Sequence, residues 1–454
     1  MQPNKVLMAM LMSAGLMSNP ASAAVDPEVL MQAYEKLLQR VEQLEAANKK
    51  LEAAVTENKG AEKGDLAARV EDVESEIIAL RKPSALEDAM DGVSLSASLT
   101  MVAQHMDAEQ DAGELTGRAD VEIVLPMGSI GSAQGKLFGH LRAGDGEGVD
   151  TGAFAPSNSA AFGHESRMDL MQAWVHFDIP VGGADGKLDR IELTAGKIDP
   201  FGFFDGNNIA DDESEQFLNL AFIHNPLLDA GGDIGVGDDG GSPGLRLAYV
   251  NDVNGSNNFA ASIGIFGSGD DGANFTDSFD GGLVIGQLEY SGKTIGNKTG
   301  AYRLYGWSNS NAWDLVNALD VDGNPTIRER HNGWGISLDQ QIAEHVTLFS
   351  RVGFSTKSVV EFDRAFTVGA QFDGGMWGRE SDRIGLAAGW LKPSSEHKAA
   401  SGVTGTETPV ELYYVWQLND HLHLSPSIQW INNPAGNKTA DDVTVWSLRA
   451  KAAF

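Results

Sequence analysis

Residues 445–454, Val-Trp-Ser-Leu-Arg-Ala-Lys-Ala-Ala-Phe, restrict the fold of this chain more than any other segment. In an extended strand successive side chains point to opposite faces. Trp446, Leu448, Ala450, Ala452 and Phe454 then share one face, and Ser447, Arg449 and Lys451 the other. A strand that is apolar on one side and cationic on the other suits a wall between lipid and water. The last strand of a soluble sandwich also fits this pattern, so the opposite end of the chain has to decide.

That end carries an export signal. Lys5 supplies positive charge, Val6 to Met17 form an apolar run, and Ala21-Ser22-Ala23 fits a small-residue cleavage site. The run is too short to cross a bilayer comfortably, and no later stretch approaches the roughly 18 apolar residues of a membrane helix. We expect residues 1–23 to be removed and Ala24 to start the mature chain. An exported chain of this kind that enters a membrane does so as a closed barrel. Phe454, ending an amphipathic strand, resembles the assembly signal of bacterial outer-membrane proteins. Mean hydropathy is −0.20, a value typical of soluble proteins. Spanning strands give the same value, because every second residue faces water. With Cys 0, disulfides, thiol catalysis and thiolate metal sites are excluded. A net charge of −31 argues against nucleic acid as a partner.

Between the signal and the strands lies a helical pattern. Leu30, Tyr34, Leu37, Val41, Leu44, Asn48, Leu51 and Val55 recur at spacings of four and three, a heptad seam with one polar member. Lys59 to Gly64 interrupts the seam, Leu66, Val70, Val73, Ile77 and Leu80 resume it, and Pro83 ends it. Residues 24–83 are predicted to form a periplasmic coiled coil that joins three copies into a homotrimer. A single amphipathic helix packed on its own domain is the alternative.

From residue 84 to 454 the pattern is strand and turn. Alternating segments include Lys136–Arg142, Arg190–Lys197, Leu245–Val250, Ala301–Trp307, Val346–Phe354, Ile384–Trp390 and Glu411–Gln417, with Gly/Asp/Asn-rich loops between them. The predicted fold is an all-β transmembrane antiparallel barrel, preceded by the coil. About 370 residues accommodate about 16 strands, and 18 also fit. Trp174, Trp307, Trp334, Trp390, Trp416 and Trp430 are candidates for the interfacial aromatic girdles.

Several segments together resemble the carbohydrate-selective porins of the OprB family. They are Gly196-Lys197-Ile198-Asp199-Pro200, Phe204-Asp205-Gly206-Asn207-Asn208, Asp211-Asp212-Glu213, Gln216 to Asn219 and Ala221 to Pro226. Tyr302 to Trp307, Gly333 to Gln341, Leu348 to Phe354, Gly378 to Asp382, Glu411 to Tyr414 and Ser425 to Pro434 continue the likeness in order. The resemblance implies an outer-membrane channel for passive diffusion of sugars and other small hydrophilic solutes. An N-terminal coil is not a universal part of that family.

Strand parity nominates pore-lining residues, since a charged side chain at the lipid midplane costs about 2–4 kcal/mol. Arg246, Arg303, Tyr305, Arg351, Glu411, Tyr413 and Arg449 form that set. Asp199, Asp205, Asn207, Asp211, Asp212 and Glu213, with Asn208, lie in a block too polar for strand, which fits an inward-folded constriction loop. An ordinary solvated loop or a weak calcium site are the other readings. No His-Glu-x-x-His or Gly-x-Ser-x-Gly pattern occurs, so we expect no enzyme, no cofactor and no resident metal. Two further functions stay open. One is a general ion-conducting porin without sugar preference. The other is a structural tether, gripping the cell wall or a periplasmic partner through the coil while the barrel anchors it in outer-membrane lipid.

Overall fold

The computed structural model describes residues 92–107, 112–181, 189–230, 241–253, 257–268, 282–321, 326–357 and 359–454. The signal segment 1–23 and the coil 24–83, with its seam Leu37, Val41, Leu44, Asn48, Leu51 and Val55, lie outside the described residues.

Sixteen strands follow in chain order: β1 Ser94–Asp107, β2 Ala112–Ile130, β3 Ala133–Gly146, β4 Gly163–Pro180, β5 Arg190–Ile198, β6 Ser242–Val253, β7 Asn257–Gly267 and β8 Gly282–Lys293. They continue as β9 Thr299–Trp313, β10 Arg328–Ala343, β11 Val346–Ser355, β12 Phe362–Asp373, β13 Arg383–Pro393, β14 Thr408–Asn419, β15 Leu422–Asn432 and β16 Val443–Ala453. Each strand pairs with its neighbours in sequence, and β1 closes on β16 in antiparallel register, Ser98 opposite Ala453 and Val102 opposite Arg449. Closure removes both sheet edges, so every strand finds its backbone partners inside the sheet. The count agrees with the expected 16.

The two ends of the barrel differ. Turns such as 131–132, 344–345 and 420–421 are short and lie at the end holding Ser94 and Phe454. Connections 147–162, 199–241 and 433–442, at the other end, are long. Strand parity sorts the side chains. On β14, Glu411, Tyr413 and Val415 are buried inside, while Leu412 and Trp416 are exposed on the outer face. Trp334 stacks on Phe354, and Phe366 on Trp390, along that outer face.

Two of the tryptophans proposed for the girdles belong elsewhere. Trp307 is buried among interior residues. Trp174 stacks on Phe138 and meets Phe203 of the 199–241 connection edge-on, inside the barrel. Strand parity accounts for both: Trp307 shares its face with Arg303 and Tyr305, and Trp174 shares its face with buried His176.

The interior packing lies between that connection and the wall. Phe204, Leu227, Phe266, Ile285, Tyr305 and Trp307 form one cluster; Phe217, Phe222, Ile223, Phe349 and Tyr413 form another. Leu412→Arg, on the outer face, is expected to lower barrel stability by about 2–4 kcal/mol, because the charge then faces hydrocarbon. Denaturant titration of the refolded protein in lipid vesicles measures it.

Candidate functional site

Residues 199–230 fold into the barrel and are held there by groups the strands supply. Asp199 starts the segment, its side chain accepting from the Phe201 N–H at 2.9 Å to cap the turn Pro200–Gly202. Asp205 adopts a left-handed φ of 60°, a region Asp tolerates better than most residues. This turn delivers its carboxylate to the barrel wall. Arg351 on β11 pairs with it at 3.1 Å, the Tyr305 hydroxyl donates at 2.6 Å, and the Asn225 N–H donates at 2.5 Å. Asp205 and Arg351 have side chains 0% exposed. Arg351 also donates to the carbonyls of Phe222 and Asp205, so its fork holds both limbs of the loop. Asn225 fits because Gly335 and Gly353, opposite each other on β10 and β11, leave room: a Cβ on either would collide with the Asn225 side chain.

The same logic repeats around the wall. Glu411 on β14 accepts from the Leu218 and Asn219 N–H groups, at 2.9 Å each. Arg449 on β16 donates to the Glu213 carbonyl at 2.7 Å, and Lys451 reaches Ser214 and Glu215 at 2.7 and 2.8 Å. Asp339 on β10 receives the Asn208 amide at 2.6 Å and pairs with Arg303 at 3.2 Å. The Asn207 amide donates to the Ser337 hydroxyl at 3.3 Å. Arg246 pairs with Glu192 at 2.9 Å and lies over the Phe203 ring. Tyr413 packs edge-on against Phe217. Arg246, Arg303, Tyr305, Arg351, Glu411, Tyr413 and Arg449 therefore all point inward, but they lie beneath the loop and are buried there. Of the loop residues, Asp205 and Asn207 are buried among these anchors, while Asp199, Asp211, Asp212 and Glu213 are only partly covered.

The loop leaves an open path along β1–β4. Two cavities occupy it, of about 630 and 430 Å³. The larger is bordered by the connection 147–162 at the long-loop end, the smaller by Ser96, Ala97 and Phe454 at the opposite end. Six residues border both: His140 and Arg142 from β3, and Asp199, Phe201, Glu213 and His224 from the loop. They form the ring where the two cavities meet. Arg118 on β2 joins wall to loop, with a 2.5 Å pair to Glu213, and Asp120 accepts from His140 and Arg142 at 2.8 and 2.6 Å. The His224 ring stacks flat on Phe201 at 3.8 Å and pairs with Asp229 at 2.7 Å. Cations thus stand on the wall side, and carboxylates predominate on the loop side.

Protonation on the loop follows from these contacts. Burial pushes the Glu213 carboxyl up, but Arg118 and Arg142 outweigh it and hold the group at about 2. For His224, burial opposes the charged form, yet Asp229 and Asp211 raise it to about 9. Burial pushes Asp211 up to about 7, with His224 and Arg351 opposing in part.

Sequence parity reached the loop's anchors but did not single out Arg118, Asp120, His140, Arg142, Phe201 or His224. A signal was present: Arg118-Ala-Asp120-Val-Glu122 and His140-Leu-Arg142 each put charged or titratable groups on one face of a strand. Which inward charges stay uncovered depends on where the loop lies, and alternation carries no information about that.

A closed 16-stranded antiparallel barrel, narrowed by an inward connection beside two adjoining cavities lined by charged residues, has the architecture of a porin. The chain belongs to the carbohydrate-selective porin family OprB, whose model matches residues 142–454. It is similar to Porin B of Pseudomonas aeruginosa, with 25% identity over 189 residues that cover 34% of this chain and 41% of that protein. It is also similar to Porin AaxA of Chlamydia caviae, 26% identical over 118 residues covering 26% of each. The chain thus spans less than half the length of the curated relatives it matches. In fold it resembles the high-pH structure of Pseudomonas putida OprB, with a TM-score of 0.66 at 18% identity, covering 82% of this chain and 96% of that one.

Two outcomes follow. Arg351→Ala leaves Asp205 a buried, uncompensated charge, a change worth about 3–5 kcal/mol. Single-channel conductance is expected to rise and become noisier as the loop loosens; steps of wild-type size would show that the pair does not hold it. Lowering pH from 8 to 6 protonates Asp211 as it passes about 7, while His224 keeps its charge below about 9. The loop side then loses negative charge, so the cation-to-anion permeability ratio from reversal potentials falls in this window, and Asp211→Asn flattens the response.

Proposed function

We propose that the protein is an outer-membrane channel for passive, energy-independent diffusion of carbohydrates and other small hydrophilic solutes. The observation that carries this reading is the ring of His140, Arg142, Asp199, Phe201, Glu213 and His224, shared by the two cavities. A sugar entering it exchanges water on its hydroxyls for guanidinium, imidazole and carboxylate groups on both sides. Half-buried aromatic surface on the inward wall, at Phe138 and Trp174, offers faces on which the apolar side of a pyranose can rest. Each contact is weak, as flux requires, because a tight site would retain its solute.

The pore-lining set and the acidic loop enter this reading with different roles. Arg246, Arg303, Tyr305, Arg351, Glu411, Tyr413 and Arg449 position the loop. Asp199, Asp211, Asp212 and Glu213 present their carboxylates to the passage. The net charge of −31 favours a second component of function, conduction of small cations. Residues 24–83 are proposed as a periplasmic coiled coil that trimerises the porin and offers a contact to the cell wall or a periplasmic partner.

The test is single-channel recording of the full chain in a planar bilayer, with mono- and disaccharides titrated in. Saturable reduction of current by sugar is expected, and Arg142→Ala should shift the half-blocking concentration upward. Openings indifferent to any sugar would leave a general porin, and a folded barrel that does not conduct would favour the tether.

A further inference from the structure

The outer face of the barrel should meet only lipid, yet at the long-loop end of β12 and β13 it carries cations. Arg364 is 55% exposed on that face, and its register partner, Lys392, is exposed beside it. Arg364 does not reach the outside by simple alternation. Phe362, two residues earlier, is buried inside the barrel, so an unbroken strand would turn Arg364 inward as well. The ladder instead shifts register between them: Phe362 pairs with Pro393 and Arg364 with Lys392. Asp363 is the extra residue of a β-bulge, and bulges re-aim the side chains that follow. The backbone irregularity thus places a guanidinium where lipid headgroups begin.

What surrounds the pair suits a lipid rather than water alone. One step toward the membrane, Phe366 is opposite Trp390, and their rings stack at 5.4 Å and 23°. Beyond Lys392 the chain enters the helical turn Ser395–Ser401, which carries Lys398. Asp363 lies 3.8 Å from Arg364, too long for a close pair, and Lys392 has no ion pair among the described residues. Glu361 and Glu396 flank the patch in the adjoining loops. Asp107, Asp441 and Asp442, near the β16–β1 seam at this end, are exposed and acidic.

We propose that Arg364 and Lys392 bind the phosphate of a phosphorylated lipid in the outer leaflet, with its acyl chains lying along the Phe366–Trp390 stack. Charge complementarity selects this occupant. Cations at the bilayer boundary are stabilised by anionic headgroups, guanidinium groups favour phosphate, and long basic side chains reach up to the headgroup while their stems cover apolar surface. A strongly acidic chain repels such lipids in general, and outward cations at the bilayer boundary oppose that repulsion locally.

The test uses the full chain in non-ionic detergent, with native mass spectrometry of binding to diphosphorylated lipid A and to phosphatidylcholine. We expect lipid A to be preferred, and the double variant Arg364→Gln/Lys392→Gln to lose about tenfold or more of its affinity. Lys438→Gln, an exposed cation on another long loop, should bind as wild type. Conductance of the double variant should be unchanged, which shows an intact barrel and separates this site from the permeation path. Equal binding by wild type and double variant, or no preference for lipid A, would overturn the proposal. Displacement of lipid A by millimolar inorganic phosphate would also overturn it, leaving an anion site rather than a lipid site.

Discussion

The narrow passage depends on one buried ion pair, Arg351 with Asp205, on which the rest of the inward loop is organised. Taking two charges out of water costs several kcal/mol per ion, so such a pair contributes only when its remaining donors and acceptors are satisfied. Here Tyr305 and the Asn225 N–H complete the carboxylate, and two loop carbonyls complete the guanidinium. The pair therefore specifies position more than it adds stability: moved by one residue, the loop would leave a charge buried without a partner. Apolar packing of Phe204 and Phe217 then adds strength without adding direction.

Because the loop is fastened to the wall from β8 around to β16, the free space is displaced to the side of β1–β4. This space lies between unlike surfaces. Arg118, His140 and Arg142 stand on the wall, while Asp199, Asp211 and Glu213 stand on the loop. Aqueous solutes that exchange hydrogen bonds in many orientations suit such a path, and a field across it favours those with a matching dipole.

Inward facing of the charged wall residues is legible from alternation, because the pleat forces it. Barrel class also needs the export signal and the family resemblance, and length sets the strand number at about 16, with 18 also fitting. The loop is legible as a break: residues 199–225 hold too many Asp, Asn and Gly to continue β5. What alternation does not carry is the distinction between an inward charge that meets water and one that meets another part of the chain. Arg351 and Arg142 look alike in sequence, each an arginine on an alternating strand, yet one is sealed under the loop and the other borders both cavities. The difference arises from contacts between segments more than a hundred residues apart, such as Asp205 with Arg351. Arg364 illustrates a related limit: a bulge redirects it.

Arg449 and Lys451, which grip the loop at Glu213, Ser214 and Glu215, belong to the last strand. The strand that carries them is also the one whose pairing with β1 closes the barrel. One element thus seals the wall with its backbone and holds the narrowing with its side chains. A chain in which β16 were displaced would lose the seal and the fastening at once, so the two would fail together rather than separately.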